Sequence, residues 1–151
     1  MDMAQLEQRL TRMEDIEAIK QLKARYCAIA DEDHNPDKIT ALFVEDGIWE
    51  GGFGTAQGHE AIRQLFQRAQ QHFSFSHHMV MNPIIEVAGN RAKGTWYFLG
   101  LFTVRENNEA RWSAVHYEED YIKVNGAWKY QHLRAHGRMS ASYDKGWANT
   151  D

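Results

Sequence analysis

The sequence predicts an α+β domain: about three helices come first, and a curved, mostly antiparallel sheet follows. Three observations carry this. Apolar residues recur at three- and four-residue steps as far as about Gln71. From Phe73 onward they alternate instead. The alternating part is then cut by Gly- and Asn-bearing turns into pieces of strand length. A meander of such strands would curl round the helices as a cone, and the open end of a cone is a natural ligand cavity.

Taken in order, Leu6, Leu10, Met13, Ile16, Ile19, Leu22, Tyr26 and Ile29 form the apolar stripe of a first helix that stops at Ala30-Asp31. Acidic Glu14, Asp15 and Glu17 precede Lys20, Lys23 and Arg25 along its exposed side. Asn35-Pro36 opens a second, short helix expected to reach Phe43, with Asn as N-cap and Pro in the first turn. Asp46-Gly47 reads as a turn, Ile48-Trp49-Glu50 as a short strand and Gly51-Gly52-Phe53-Gly54 as a loop tip. Gly58 precedes a third helix, His59 to about Gln71, with Ile62, Leu65, Phe66 and Ala69 on one face. Strands are expected at about 75–80, 83–88, 91–104, 110–123 and 127–138. The turns between them fall at Ala88-Gly89-Asn90, Asn107-Asn108 and Asn125-Gly126, the last a strong hairpin signal. The whole chain, 1–151, reads as one domain, with 1–12 as a helical extension and 139–151 as a tail.

Composition narrows the partners. A net charge of −4 argues against nucleic acid and anionic membranes. Met1 to Arg12 is polar, and the longest apolar run, Trp96 to Val104, is about half a membrane span. A single cysteine, Cys27, excludes an internal disulfide, reads as a buried thiol and suits a reducing compartment; the expected location is the cytoplasm. Five Trp, six Tyr and seven Phe, with eight His, suit a pocket protein.

Several residues could carry chemistry. Asp31 ends the first helix, where the dipole disfavours a carboxylate; it is either a solvated loop acid or the partner of an imidazole. His77 and His78 are consecutive in a strand, so only one can face the interior, as a core residue or as a general base. Tyr26, five residues before Asp31, is core or a phenol donating to a substrate oxygen. Trp49, Phe53 and Trp96 are candidate cavity walls. His116, His132 and His136 fall on adjacent strands, but no HExxH or Cys/His pair accompanies them, so no metal is expected. Arg134 and Arg138 share the last strand, as a solvated edge or an anion clamp. The loop at Gly51–Gly54 opens no helix and is not a dinucleotide fingerprint, and no cofactor is expected.

The segments DIEAIKQLKARY (Asp15–Tyr26), HHMVMNP (His77–Pro83), AKGTWYF (Ala92–Phe98) and YEEDYIKVNGAW (Tyr117–Trp128) carry a family resemblance. From about Asp15 to Arg138 the chain resembles the SnoaL-like branch of the nuclear-transport-factor-2-like superfamily. That branch is one of cone-shaped α+β domains and holds lyases of the scytalone dehydratase and bile-acid 7α-dehydratase type. The resemblance implies an Asp–His dyad: Asp31 orients His78, His78 takes a proton from carbon, and Tyr26 binds or protonates oxygen. It implies a dehydratase-type β-elimination on a small hydrophobic cyclic substrate, with isomerisation or polyketide-type ring closure as the alternative chemistry. A binding-only domain is the third reading, one that needs no contact between Asp31 and His78. Trp49, Phe53, Trp96, His116 and Arg138 would bind the substrate. A homo-oligomer, trimeric or dimeric, is expected to cover the outer sheet face, where Trp112, Trp128 and Tyr130 are placed.

Overall fold

The computed structural model describes residues 1–148. Helix α1 (Met3–Asp31) starts at a capping box, in which the Asp2 carboxylate accepts from the Gln5 N–H and the Gln5 side chain accepts from Asp2 N–H. Its apolar stripe runs the full length, yet only the second half has a partner. Ile19, Leu22, Tyr26 and Cys27 are buried, whereas Leu6, Leu10 and Met13 stay exposed.

Helix α2 (Pro36–Thr40) has Asn35 as its N-cap and Pro36 in its first turn. It ends three residues before the expected Phe43, because Phe43 opens strand β1 (Phe43–Gly51). There Phe43 lies in parallel register with Tyr130, and the Phe43 and Tyr130 rings stand 5.0 Å apart. Sheet pairing outweighs the local helical pattern. The Asp46-Gly47 turn survives only as an irregularity inside β1. Strand β2 (Gly54–Gln57) was not expected; it pairs back on β1 around Gly52-Phe53. Helix α3 (His59–His72) buries Ile62, Leu65, Phe66 and Ala69 as its stripe requires.

The remaining strands are β3 (Phe73–Ala88), β4 (Arg91–Val104), β5 (Glu109–Val124) and β6 (Ala127–Ser142). The six strands lie in the order β2-β1-β6-β5-β4-β3, with only the β1–β6 pair parallel. The fold is α+β, as the sequence predicts. The two segments read at 75–80 and 83–88 are one strand interrupted by a bulge, with Asn82 at φ 53°. Pro83 is tolerated there because β3 is an edge strand. Asn125-Gly126, both with positive φ, closes the β5–β6 hairpin in two residues. Strand β6 runs four residues beyond 138 into the expected tail, and residues 149–151 of that tail lie outside the described residues.

Register decides which side chains face the helices. Trp96, Phe98, Tyr117, Tyr121, Trp128, Tyr130 and Leu133 belong to the core beneath α1 and α3. Trp128 and Tyr130 are therefore not on the outer sheet face: Trp128 donates to the buried Asp15 carboxylate of α1 at 2.8 Å, and Tyr130 packs on Tyr26. Trp112 pairs with Leu101 on β4 and stacks on Tyr143.

The core also encloses charge. Lys23 pairs with Glu119, and both are fully buried. Tyr121 donates its hydroxyl to the same carboxylate, and Lys23 Nζ sits 3.3 Å from the centre of the Tyr117 ring. Removing one member of such a pair strands the other in a low-dielectric core. Lys23→Met is expected to lower stability by about 3–5 kcal/mol in urea unfolding. Adding Glu119→Gln should recover most of the loss. An unchanged midpoint in the single variant would contradict this account of the core.

Candidate active site

Between α1, α3 and the concave sheet lies a cavity of about 590 Å³, within the range that holds drug-sized ligands. Phe66, Phe98, Phe102 and Val115 give it apolar walls, while Tyr26, His34, His78 and Tyr117 bring polar atoms to it. Exposed Phe53 and Arg138 lie on its lining as well.

Asp31 is the last residue of α1, and its carboxylate faces the edge strand β3. The backbone N–H of His78 donates to both carboxylate oxygens, at 3.0 and 3.1 Å. His78 Nδ1 stands 2.6 Å from Oδ1. Ser76 Oγ adds a long contact at 3.5 Å to the same oxygen and donates to the Ala30 carbonyl at 3.1 Å, so β3 is tied to the helix end twice. Partial burial opposes ionisation of Asp31. The hydrogen bonds from the His78 ring and backbone, with the nearby His78 and His77 rings, outweigh it and hold the carboxyl below its ordinary value. An ionised Asp31 can only accept, so in neutral His78 the proton sits on Nδ1 and the lone pair on Nε2. Phe98 and Phe102, with ring centres 5.1 and 5.5 Å away, hold the imidazole plane.

Tyr26, five residues before Asp31 on α1, is 2% exposed. Its hydroxyl oxygen accepts from Trp49 Nε1 at 2.9 Å, which leaves its own proton free to donate. Burial pushes the phenol well above its ordinary value, against the Trp49 hydrogen bond, so it stays protonated.

Residues 11–134 match the SnoaL-like domain. The chain belongs to the SnoaL-like family. No curated protein matches the sequence. Solved structures share the fold. A type 2 hexachlorocyclohexane dehydrochlorinase superposes with a TM-score of 0.84 at 21% identity, covering 94% of this chain and 97% of its own. A scytalone dehydratase-like protein from Novosphingobium aromaticivorans gives 0.81 at 23% identity, covering 92% and 94%. An NTF2-like protein with a cystatin-like fold, also from Novosphingobium aromaticivorans, gives 0.72 at 26%, covering 90% of each chain.

Tyr26, Trp49, Phe53, His78 and Arg138 all line the cavity, with Asp31 bonded behind His78. Arg138 falls at a register irregularity of β6, unpaired between Gly137 and Met139. Two expected residues are elsewhere. Trp96 faces inward but deeper, in the core, where its Nε1 donates to Tyr121 at 3.1 Å. His116 is on the outer face, beside Tyr97. Trp96 pairs with Tyr117 and Tyr97 with His116, so Trp96 and His116 cannot share a face. Arg134 is also outside, bonded to Asp120 and His132. His132 and His136 instead face Glu50 and Glu118.

Sequence reasoning missed His34, Ser76 and Tyr117. Alternation places Ser76 on the face of His78 and Tyr117 on that of Glu119, so both were within reach of a parity count. His34 sits in the turn after α1, where nothing periodic marks it.

Because the folded state holds the Asp31 carboxyl below its ordinary value of 3.8, its contribution is full above that value and lost as pH falls through the lower folded-state one. Urea unfolding of wild type and Asp31→Asn should differ by about 1–3 kcal/mol near pH 5. The difference should shrink toward about pH 2. A difference that widens in acid would contradict the assigned hydrogen bonds.

Proposed function

We propose that this protein is a cofactor-independent lyase of the dehydratase type, acting on a small hydrophobic cyclic substrate. One observation carries the reading: the 2.6 Å contact of Asp31 with His78 Nδ1 leaves the other ring nitrogen as a base in an aromatic cavity that also holds a protonated phenol. A binding-only domain has no need of that contact. The structural likeness to a dehydrochlorinase and to a scytalone dehydratase-like protein supports an elimination, in which a base removes a proton and a group departs from the neighbouring carbon.

The chemistry follows from the geometry. His78 Nε2 takes a proton from a carbon made acidic by an adjoining carbonyl. The C–H electron pair becomes the new double bond as the carbon–oxygen bond to the leaving hydroxyl breaks. Asp31 stabilises the imidazolium, and Tyr26 donates a hydrogen bond to the oxygen on which charge develops. The imidazolium then returns its proton to the departing hydroxide, which leaves as water. Apolar walls exclude solvent and position the ring, and Arg138 at the rim suits a ligand whose outer end is anionic.

Incubation with a panel of cyclic β-hydroxy ketones, followed by mass spectrometry, tests the reading. The expected product is lighter by one water. His78→Ala should slow turnover by roughly 10²–10⁴-fold while circular dichroism stays native. Full activity in that variant would refute His78 as the base, and a product of unchanged mass would replace elimination with isomerisation.

A further inference from the structure

We propose that His34 is a further polar binding residue of this cavity, whose imidazole hydrogen-bonds an uncharged ligand oxygen, a hydroxyl or a carbonyl, held beside His78. The inference rests on the cavity described above but not on the reaction carried out there.

His34 is 5% exposed and lines the cavity. Among the described residues its ring makes no hydrogen bond, although its backbone N–H donates to the Ala30 carbonyl at 3.1 Å. The imidazole has no partner among the described residues and borders the cavity, where a ligand oxygen can supply one. The ring is also held in place. It stacks on Phe73 at 5.8 Å and 26°, and its backbone sits at φ 50°, a left-handed conformation sparse for residues other than glycine but enriched in His and Asn. Left-handed backbone persists where the surroundings over-determine it, and it clusters at binding sites.

The position relative to His78 gives the contact a role. The two ring centres are 6.0 Å apart, with the planes inclined at 67°. A hydrogen-bonded oxygen lies roughly 4 Å from an imidazole centre, so a single oxygen can stand within reach of both rings. Burial first, and then the neighbouring His78, lower the His34 value to about 4, against the opposing pull of Asp31 and Asp33. The ring is thus uncharged near neutral pH, with one N–H to give and one lone pair to accept. Nor would a second anion be favoured so close to the Asp31 carboxylate. Uncharged oxygen is the chemistry that fits.

The probes are β-naphthol and naphthalene, which differ by one hydroxyl, titrated at neutral pH by calorimetry into wild type, His34→Phe and His34→Asn. Asn tolerates the left-handed backbone and keeps a donor and an acceptor. Wild type is expected to prefer β-naphthol, and His34→Phe to weaken it roughly three- to tenfold without changing naphthalene. His34→Asn should restore most of the preference. The ring nitrogens of His34 in histidine-labelled wild type should shift on adding β-naphthol, a readout that does not depend on the Phe variant folding. Equal binding of the two probes by wild type, no binding of either, or unmoved His34 resonances would overturn the proposal. A protein inactive on every hydroxy ketone but retaining the His34-dependent preference would refute the lyase reading and leave this one standing.

Discussion

The carboxylate of Asp31 is the joint on which the site depends. A negative charge at a helix C-terminus opposes the helix dipole, and here the loss is offset by donors from one strand: the His78 N–H and the His78 ring. This is available only because β3 is an edge strand. In the middle of a sheet the outward N–H of His78 would be bonded to a neighbouring strand, and Asp31 would have only the ring to hold. The same carboxylate therefore covers part of an exposed edge, anchors the end of α1 and orients the imidazole.

Helix α1 carries successive tasks along its length. Asp15 accepts from Trp128 and Lys123 and pins the β5–β6 hairpin. Lys23 is buried against Glu119, Tyr26 reaches the cavity, and Asp31 closes on β3. Structural and chemical residues thus share a rigid rod. A shift of α1 that disturbed the Lys23–Glu119 pair would move Tyr26 and Asp31 with it, and small displacements of a base or donor cost rate steeply.

The elements with strong periodicity were legible in the sequence: α1, α3 and the long strands, together with the spacing of Tyr26 and Asp31 and the resemblance that singled out His78. What failed was mostly parity and depth. Alternation shows that neighbours face opposite ways but not which way is inward, and a bulge reverses the count. In the assembled register His116 is outside the cavity, and Trp128 and Tyr130 are in the core. Trp96 has the right face but the wrong depth along β4. Strand β2 and the early end of α2 come from pairing with β1 and β6, which no local pattern records. His34 was invisible for the same reason: it stands in an aperiodic turn, and only the assembled fold brings its ring within 6.0 Å of His78.

The central claim is that Asp31 fixes His78 with its proton on Nδ1 and a bare Nε2 turned to the substrate. Long-range proton–nitrogen correlation spectra of histidine-labelled protein, recorded where the ring is neutral, report the two nitrogens separately. The expected pattern is a protonated Nδ1 and an unprotonated Nε2, lost or mixed in Asp31→Asn. A wild-type His78 with its proton on Nε2 would contradict the account.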